Sequence, residues 1–93
     1  MLSPRSPSRA SSRSPVSVAE LLEWVARRLV DEPDAVRVET EEREDAVIFK
    51  LFVAADDVGK VIGRQGRMAR ALRSIVRAAG ARAEERYVLE IAG

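Results

Sequence analysis

Two glycines spaced Gly-x-x-Gly, Gly63 and Gly66, bracket an arginine and a glutamine, Arg64 and Gln65. Val58-Gly59-Lys60-Val61-Ile62 precedes them, and Arg67, Arg70, Arg73 and Arg77 follow. No acidic residue occurs between Val58 and Ala83. Glycine lacks a Cβ, so it takes positive φ and lets another molecule approach the backbone closely. A helix that starts just after such a turn aims unsatisfied N–H groups and the positive end of its dipole at the turn. That arrangement suits one phosphate, and the arginines behind it suit a run of phosphates. The alternative for the same residues is a tight helix–helix turn without a ligand, with Arg73 and Arg77 only solvating their helix.

Other chemistries are poorly served. The 93 residues include no histidine and no cysteine. Disulfides, thiolate nucleophiles and thiolate metal sites are therefore absent. So are the commonest general base and the commonest metal ligand. Lys50 and Lys60 are the only lysines. Asp56 and Asp57, the remaining candidates for acid–base work, are better explained as a helix cap. The sequence thus predicts no enzyme, no catalytic residue, no cofactor and no metal.

Net charge is +1, from 16 basic and 15 acidic residues, but the charges are segregated. Asp31 to Asp45 is mainly acidic, and every charge from Lys60 to Arg82 is positive. A near-neutral protein with one basic face can hold a polyanion locally, while the acidic segment restricts which face it uses. Solvated surface is the plainer reading of both runs.

The elements that would position these residues follow from periodicity. Residues 1–15 are Ser, Pro and Arg with almost nothing apolar, which predicts a disordered tail. It is a flexible basic extension, an over-extended start, or an arm adding phosphate contacts. Its composition also fits an organelle transit peptide, but its prolines oppose an amphipathic helix. Ser17 and Glu20 have capping-box spacing, and Val18, Leu21, Leu22, Val25 and Leu29 then follow helical periodicity to about Asp31. Trp24 beside that stripe completes a core edge or anchors a partner. Val36, Val38 and Thr40 alternate with polar residues as a half-buried strand. Val47 to Val53 is a second strand, with Val47, Phe49, Leu51 and Val53 facing the core and Ile48, Lys50 and Phe52 facing away. Asp56 or Asp57 caps a short helix that Gly63 stops. A longer helix spans about Gly66 to Ala79, with Ala69, Leu72, Val76 and Ala79 buried and Gly80 ending it. Tyr87 to Ile91 forms the last strand.

The order α-β-β-α-α-β predicts an α+β domain over residues 16–93, a three-stranded sheet with three helices on one face. With Asp-Val-Gly-Lys-Val-Ile-Gly-Arg-Gln-Gly before a basic helix, it resembles a KH domain of type II. The resemblance covers about Val16 to Ala92. Pro33-Asp34-Ala35-Val36 in the first helix-to-strand turn, in a chain little longer than one domain, is similar to the bacterial KhpA family. That family implies a cytoplasmic single-stranded RNA-binding protein and RNA chaperone without a membrane span. It also implies a homodimer or a pair with a KhpB (Jag)-type protein, and in some bacteria an influence on cell-wall synthesis and cell shape. The resemblance places RNA at Lys60, Ile62, Gly63, Arg64, Gln65, Gly66, Arg67 and Arg70, clamping about four nucleotides, with Val58, Val61 and Ile62 as an apolar floor. A second class of function is a protein-interaction module whose main role is dimerisation, with Met68, Ile75 and Phe52 as apolar contacts.

Overall fold

A computed structural model describes residues 14–93. All but the last two residues of the expected tail lie outside the described residues. Those two, Ser14 and Pro15, start the first helix, α1 (Pro15–Leu29). The Ser14 side chain accepts from the Ser17 amide at 3.2 Å, so the cap sits three residues before the expected one. Pro15 explains the shift. Proline suits the first helical position, where its missing N–H would be unsatisfied anyway and its φ is already helical. Val18, Leu22 and Ala26 form the buried stripe of α1, while Leu21 is left half-exposed.

A short turn at Pro33–Ala35 leads into β1 (Arg37–Glu42), and β2 (Val47–Phe52) returns antiparallel to it, Arg37 opposite Phe52 and Glu42 opposite Val47. The connection contains α2 (Val58–Ile62) and α3 (Arg67–Arg82). The chain then ends its regular structure as β3 (Tyr87–Ala92), parallel to β2 with Val47 beside Tyr87 and Phe52 beside Ala92. The strand order is β1-β2-β3. A parallel neighbour requires a crossover, and this crossover carries the whole Gly-x-x-Gly segment.

All three helices contribute to one core against one face of the sheet. Val47, Phe49 and Leu51 of β2 meet Val18, Leu22 and Ala26 of α1, and Val61, Leu72 and Val76 complete the layer. Phe49 and Leu51 are fully buried, each stabilising the fold by roughly 1.5–3 kcal/mol. Tyr87 meets Phe49 edge-on, ring centroids 5.2 Å apart at 70°. This is the expected α+β arrangement. On the opposite face Ile48 lies between Glu41 and Val88, and the Arg37 guanidinium covers the Phe52 ring at 4.4 Å. Trp24 is not a core edge. It is 56% exposed and stacks under the Arg28 guanidinium at 4.3 Å.

Gly80 does not end its helix. It is a buried interior residue of α3, which continues to Arg82. A Cβ there would lie 2.7 Å from the Glu85 carbonyl oxygen and 2.9 Å from Cγ of Tyr87. The glycine therefore allows close approach between α3 and the start of β3. Glu84, at φ 59°, makes the turn, and the Glu85 amide donates to the Gly80 carbonyl at 2.8 Å. Gly80→Ala is expected to cost about 1–3 kcal/mol through overpacking, a fall in Tm of several degrees for each kcal/mol in a domain of this size. A thermal melt checks this; an unchanged Tm would show that the 83–86 turn relaxes freely.

Candidate nucleic-acid interface

The turn between α2 and α3 is built from unusual backbone. Gly63 has φ 81° and ψ 172°, Gln65 φ 56° and ψ 25°, and Gly66 φ 74° and ψ 12°. The Gly63 amide donates to the Gly59 carbonyl at 2.9 Å, closing α2, and the Gly66 amide donates to Gly63 at 3.1 Å. The two glycines serve different ends. At Gly63 a Cβ would lie 2.7 Å from Cβ of Met68 and 2.9 Å from its nitrogen. Its absence lets α2 and α3 meet. At Gly66 the nearest atom to a Cβ would be Nη1 of Arg70, at 3.7 Å, so only the left-handed φ favours glycine there.

Arg64 and Gln65 stand exposed at the tip of this turn. Arg67 begins α3 and lies 3.4 Å from Oε1 of Gln65. Arg70, Arg73 and Arg77 continue along the helix, all exposed, flanking the buried stripe of Ala69, Leu72 and Val76. Among the described residues, none of these five arginines forms an ion pair. The contrast with other cations is direct: Arg27, Arg37, Arg43, Lys50 and Lys60 are each held by a carboxylate. The row on α3 is uncompensated charge, available to an external anion.

Alongside α3 runs a groove of about 500 Å³, between Arg73 and Arg77 on one wall and Arg86, Tyr87 and Val88 on the other. β3 is an edge strand, so its outer N–H and C=O groups border this groove unpaired with another strand. β3 runs back towards the Gly-x-x-Gly turn, and Gly93 packs against Val58 and Ala55 at that end. Arg86 was not expected here. It precedes a strand rather than lying on the basic helix, and only the topology brings it beside Arg73 and Arg77.

The structure therefore brings Gly63, Arg64, Gln65, Gly66, Arg67 and Arg70 to one surface, with Ile62 half-buried beneath it. Val61 cannot be part of an apolar floor, because it is fully buried in the core. Val58 packs against the core from its edge. Lys60 belongs to a different arrangement: its ammonium lies 3.1 Å from Oδ2 of Asp31 and 3.4 Å from Oδ1 of Asp57.

Asp57 is also not the expected cap, since its side chain makes no capping bond to α2. It is 2% exposed, and its Oδ2 accepts from the Glu32 amide at 3.1 Å, from 25 residues away. Burial works against its charged form. The Asp31 and Glu32 amides and the Lys60 ammonium more than offset that, holding the carboxyl below its ordinary value. Asp31, then Asp57, raises the Lys60 ammonium above its ordinary value. The Asp57 contribution to stability is thus complete above the unfolded value of about 3.9 and is lost as pH falls through the lower folded value. That of Lys60 is complete below about 10.4 and is lost as pH rises through the raised folded value. Asp57→Asn should therefore flatten the decline of Tm below about pH 4. The slope that remains belongs to other groups such as Glu41, lowered by Arg43 and Lys50. Superimposable acid limbs for both proteins would remove Asp57 from the account.

Among the described residues no group of three or more potential ligands could hold a metal ion. No described helix is long and apolar enough to cross a membrane.

Comparison with known sequences gives a consistent answer. The sequence model of the family described as KhpA/KhpB, KH domain, matches residues 19–91. The chain is 47% identical over 72 residues to a Clostridium acetobutylicum protein named RNA-binding protein KhpA, covering 77% of this chain and 96% of that one. A Treponema pallidum protein of the same name is 49% identical over 72 residues, 77% of this chain and 90% of its own. One from Aquifex aeolicus is 47% identical over 75 residues, 81% of this chain and 95% of its own.

Proposed function

The chain belongs to the KhpA/KhpB KH-domain family, and on that premise we propose that it binds single-stranded RNA without catalysing a reaction. The observation that carries this is the row of unpaired arginines leading away from a turn with three left-handed residues. In this reading Gly63 and Gly66 let the RNA backbone approach, and amides at the start of α3 meet a phosphate. Arg64 contacts phosphate by charge and Gln65 by hydrogen bond. Arg67 and Arg70 extend the track, and Ile62 offers apolar contact to a base. The outer edge of β3 supplies backbone donors and acceptors to base edges. The clamp takes about four nucleotides.

No aromatic residue lies on α2, the turn or α3. Base stacking, worth roughly 1–3 kcal/mol per base elsewhere, is missing from that wall. The affinity is accordingly modest, the sequence preference weak and the salt dependence large. Titration of a labelled single-stranded RNA over a salt series tests this. With about four phosphates engaged, log K against log salt should have a slope near −2.8. Binding indifferent to salt would defeat the proposal.

The family resemblance supports further roles: RNA chaperone, cytoplasmic location, action as a homodimer or with a KhpB (Jag)-type partner, and an influence on cell-wall synthesis and cell shape. A protein-interaction module is the second reading. It is favoured by an apolar groove of about 260 Å³ between α1 and α3, flanked by Leu21 at 46% and Ile75 at 50% exposure. Concentration-dependent mass would support self-association, and a monomer at high micromolar concentration would exclude it. Of the other contacts expected for such a module, Met68 packs against the core and Phe52 lies under Arg37.

A further inference from the structure

We infer that Asp57 and Lys60 are positioning residues for the RNA clamp: they fasten the root of α2 to the turn after α1, and Lys60 does not itself contact phosphate. The inference rests on the RNA-binding reading above and deepens it. Its basis is the place of the two residues in the chain. α2 has only five residues and runs directly into Gly63. Whatever fixes the start of α2 fixes the clamp.

Two anchors do so. Val61 inserts one turn of the helix into the core. The other anchor is polar. The buried Asp57 carboxylate takes the Glu32 amide on one oxygen and the Lys60 ammonium on the other. Lys60 closes the ring by reaching Asp31 at 3.1 Å. A carboxylate holding main-chain amides from a distant segment fixes both segments, because leaving the buried Asp57 carboxylate without them costs more than the bonds themselves contribute. Lys60 faces two carboxylates with one charge. Its field towards an approaching phosphate is therefore cancelled, unlike that of the arginines on α3. The sequence alone puts Lys60 in the positive run; the fold removes it from that run and gives it a different partner.

The test compares wild type, Lys60→Met, Asp57→Asn and Arg64→Ala. Each is titrated with a labelled single-stranded RNA across salt, and backbone amide exchange is followed by NMR. Lys60→Met is expected to weaken RNA binding several-fold at every salt concentration with an unchanged salt slope, whereas Arg64→Ala lowers the slope by about 0.7. In Lys60→Met and Asp57→Asn the Gly63 and Gly66 amides are expected to speed by a larger factor than the Phe49 and Leu51 amides of β2, which register only the loss of global stability. A general loss of stability alone would instead speed all four alike.

A slope lowered by about 0.7 in Lys60→Met would make Lys60 a phosphate contact and overturn the inference. So would wild-type affinity in that variant, or loop exchange unaltered in both. If wild type itself fails to bind RNA, the RNA-binding reading falls. The exchange data then still decide whether these residues fix the turn.

Discussion

Replacing Arg64 and Gln65 together by aspartate is expected to abolish measurable binding of single-stranded RNA while leaving the fold intact. The substitution reverses one charge at the tip of the turn and adds another. Each charge meeting a phosphate at about 4 Å in water is worth about 1 kcal/mol. Reversal and addition together approach 3 kcal/mol, about a hundredfold in affinity. Both side chains are exposed, so the core does not register the change. Aspartate also tolerates the left-handed backbone that Gln65 adopts. Circular dichroism should match wild type. Equal RNA binding by the two proteins would move the contact away from the turn, to the arginines farther along α3 or to the basic residues before Ser14.

Gly63→Ala is expected to be the most damaging single methyl group in the domain. At φ 81° and ψ 172° the backbone is in a region essentially restricted to glycine, which costs another residue about 1–3 kcal/mol. The new Cβ would also press on Met68, 2.7 Å from its Cβ and 2.9 Å from its nitrogen, adding about 1–3 kcal/mol of overpacking. Together these approach half or more of a small domain's stability. Gly66→Ala incurs only the left-handed penalty of about 1–2 kcal/mol, because nothing lies closer to its Cβ than Arg70 at 3.7 Å. Urea melts of the two variants should therefore separate clearly, with Gly63→Ala far less stable. Coincident melts would mean that the contact between α2 and α3 at Met68 yields easily. RNA binding should be lost in Gly63→Ala even where the chain remains folded, since the turn must be rebuilt.

What could be read from the chain, and what could not, divides along physical lines. The strands and helices were legible because burial imposes periods of two and 3.6 residues. Val47, Phe49 and Leu51 show the first period, and Ala69, Leu72 and Val76 the second. The Gly-x-x-Gly turn was legible because its backbone needs particular residue types. Features set by distant partners were not. Asp57 reads locally as a cap, yet its partner is the amide of Glu32. Gly80 reads locally as a helix stop, yet its role is set by Glu85 and Tyr87. Val61 and Ile62 are adjacent and equally apolar, and only the seating of α2 decides that Val61 is the buried one. Trp24 has the residue type of a core edge but sits on the outer side of α1, beneath Arg28.

The parallel pairing of β2 with β3 also bears on how the proposed site is assembled. The β1–β2 hairpin can close through a turn of four residues, from Arg43 to Ala46. β3 instead pairs with β2 across the whole helical crossover, a far longer stretch of chain. Non-local pairings of this kind form slowly, because the chain must first be ordered over a long contour. The clamp, the arginines behind it and the groove beside β3 all lie within or against that crossover. The surface proposed for RNA is therefore built on the least local contacts of the fold. A chain that has formed only α1 and the hairpin holds two of the three strands but none of the surface proposed for RNA.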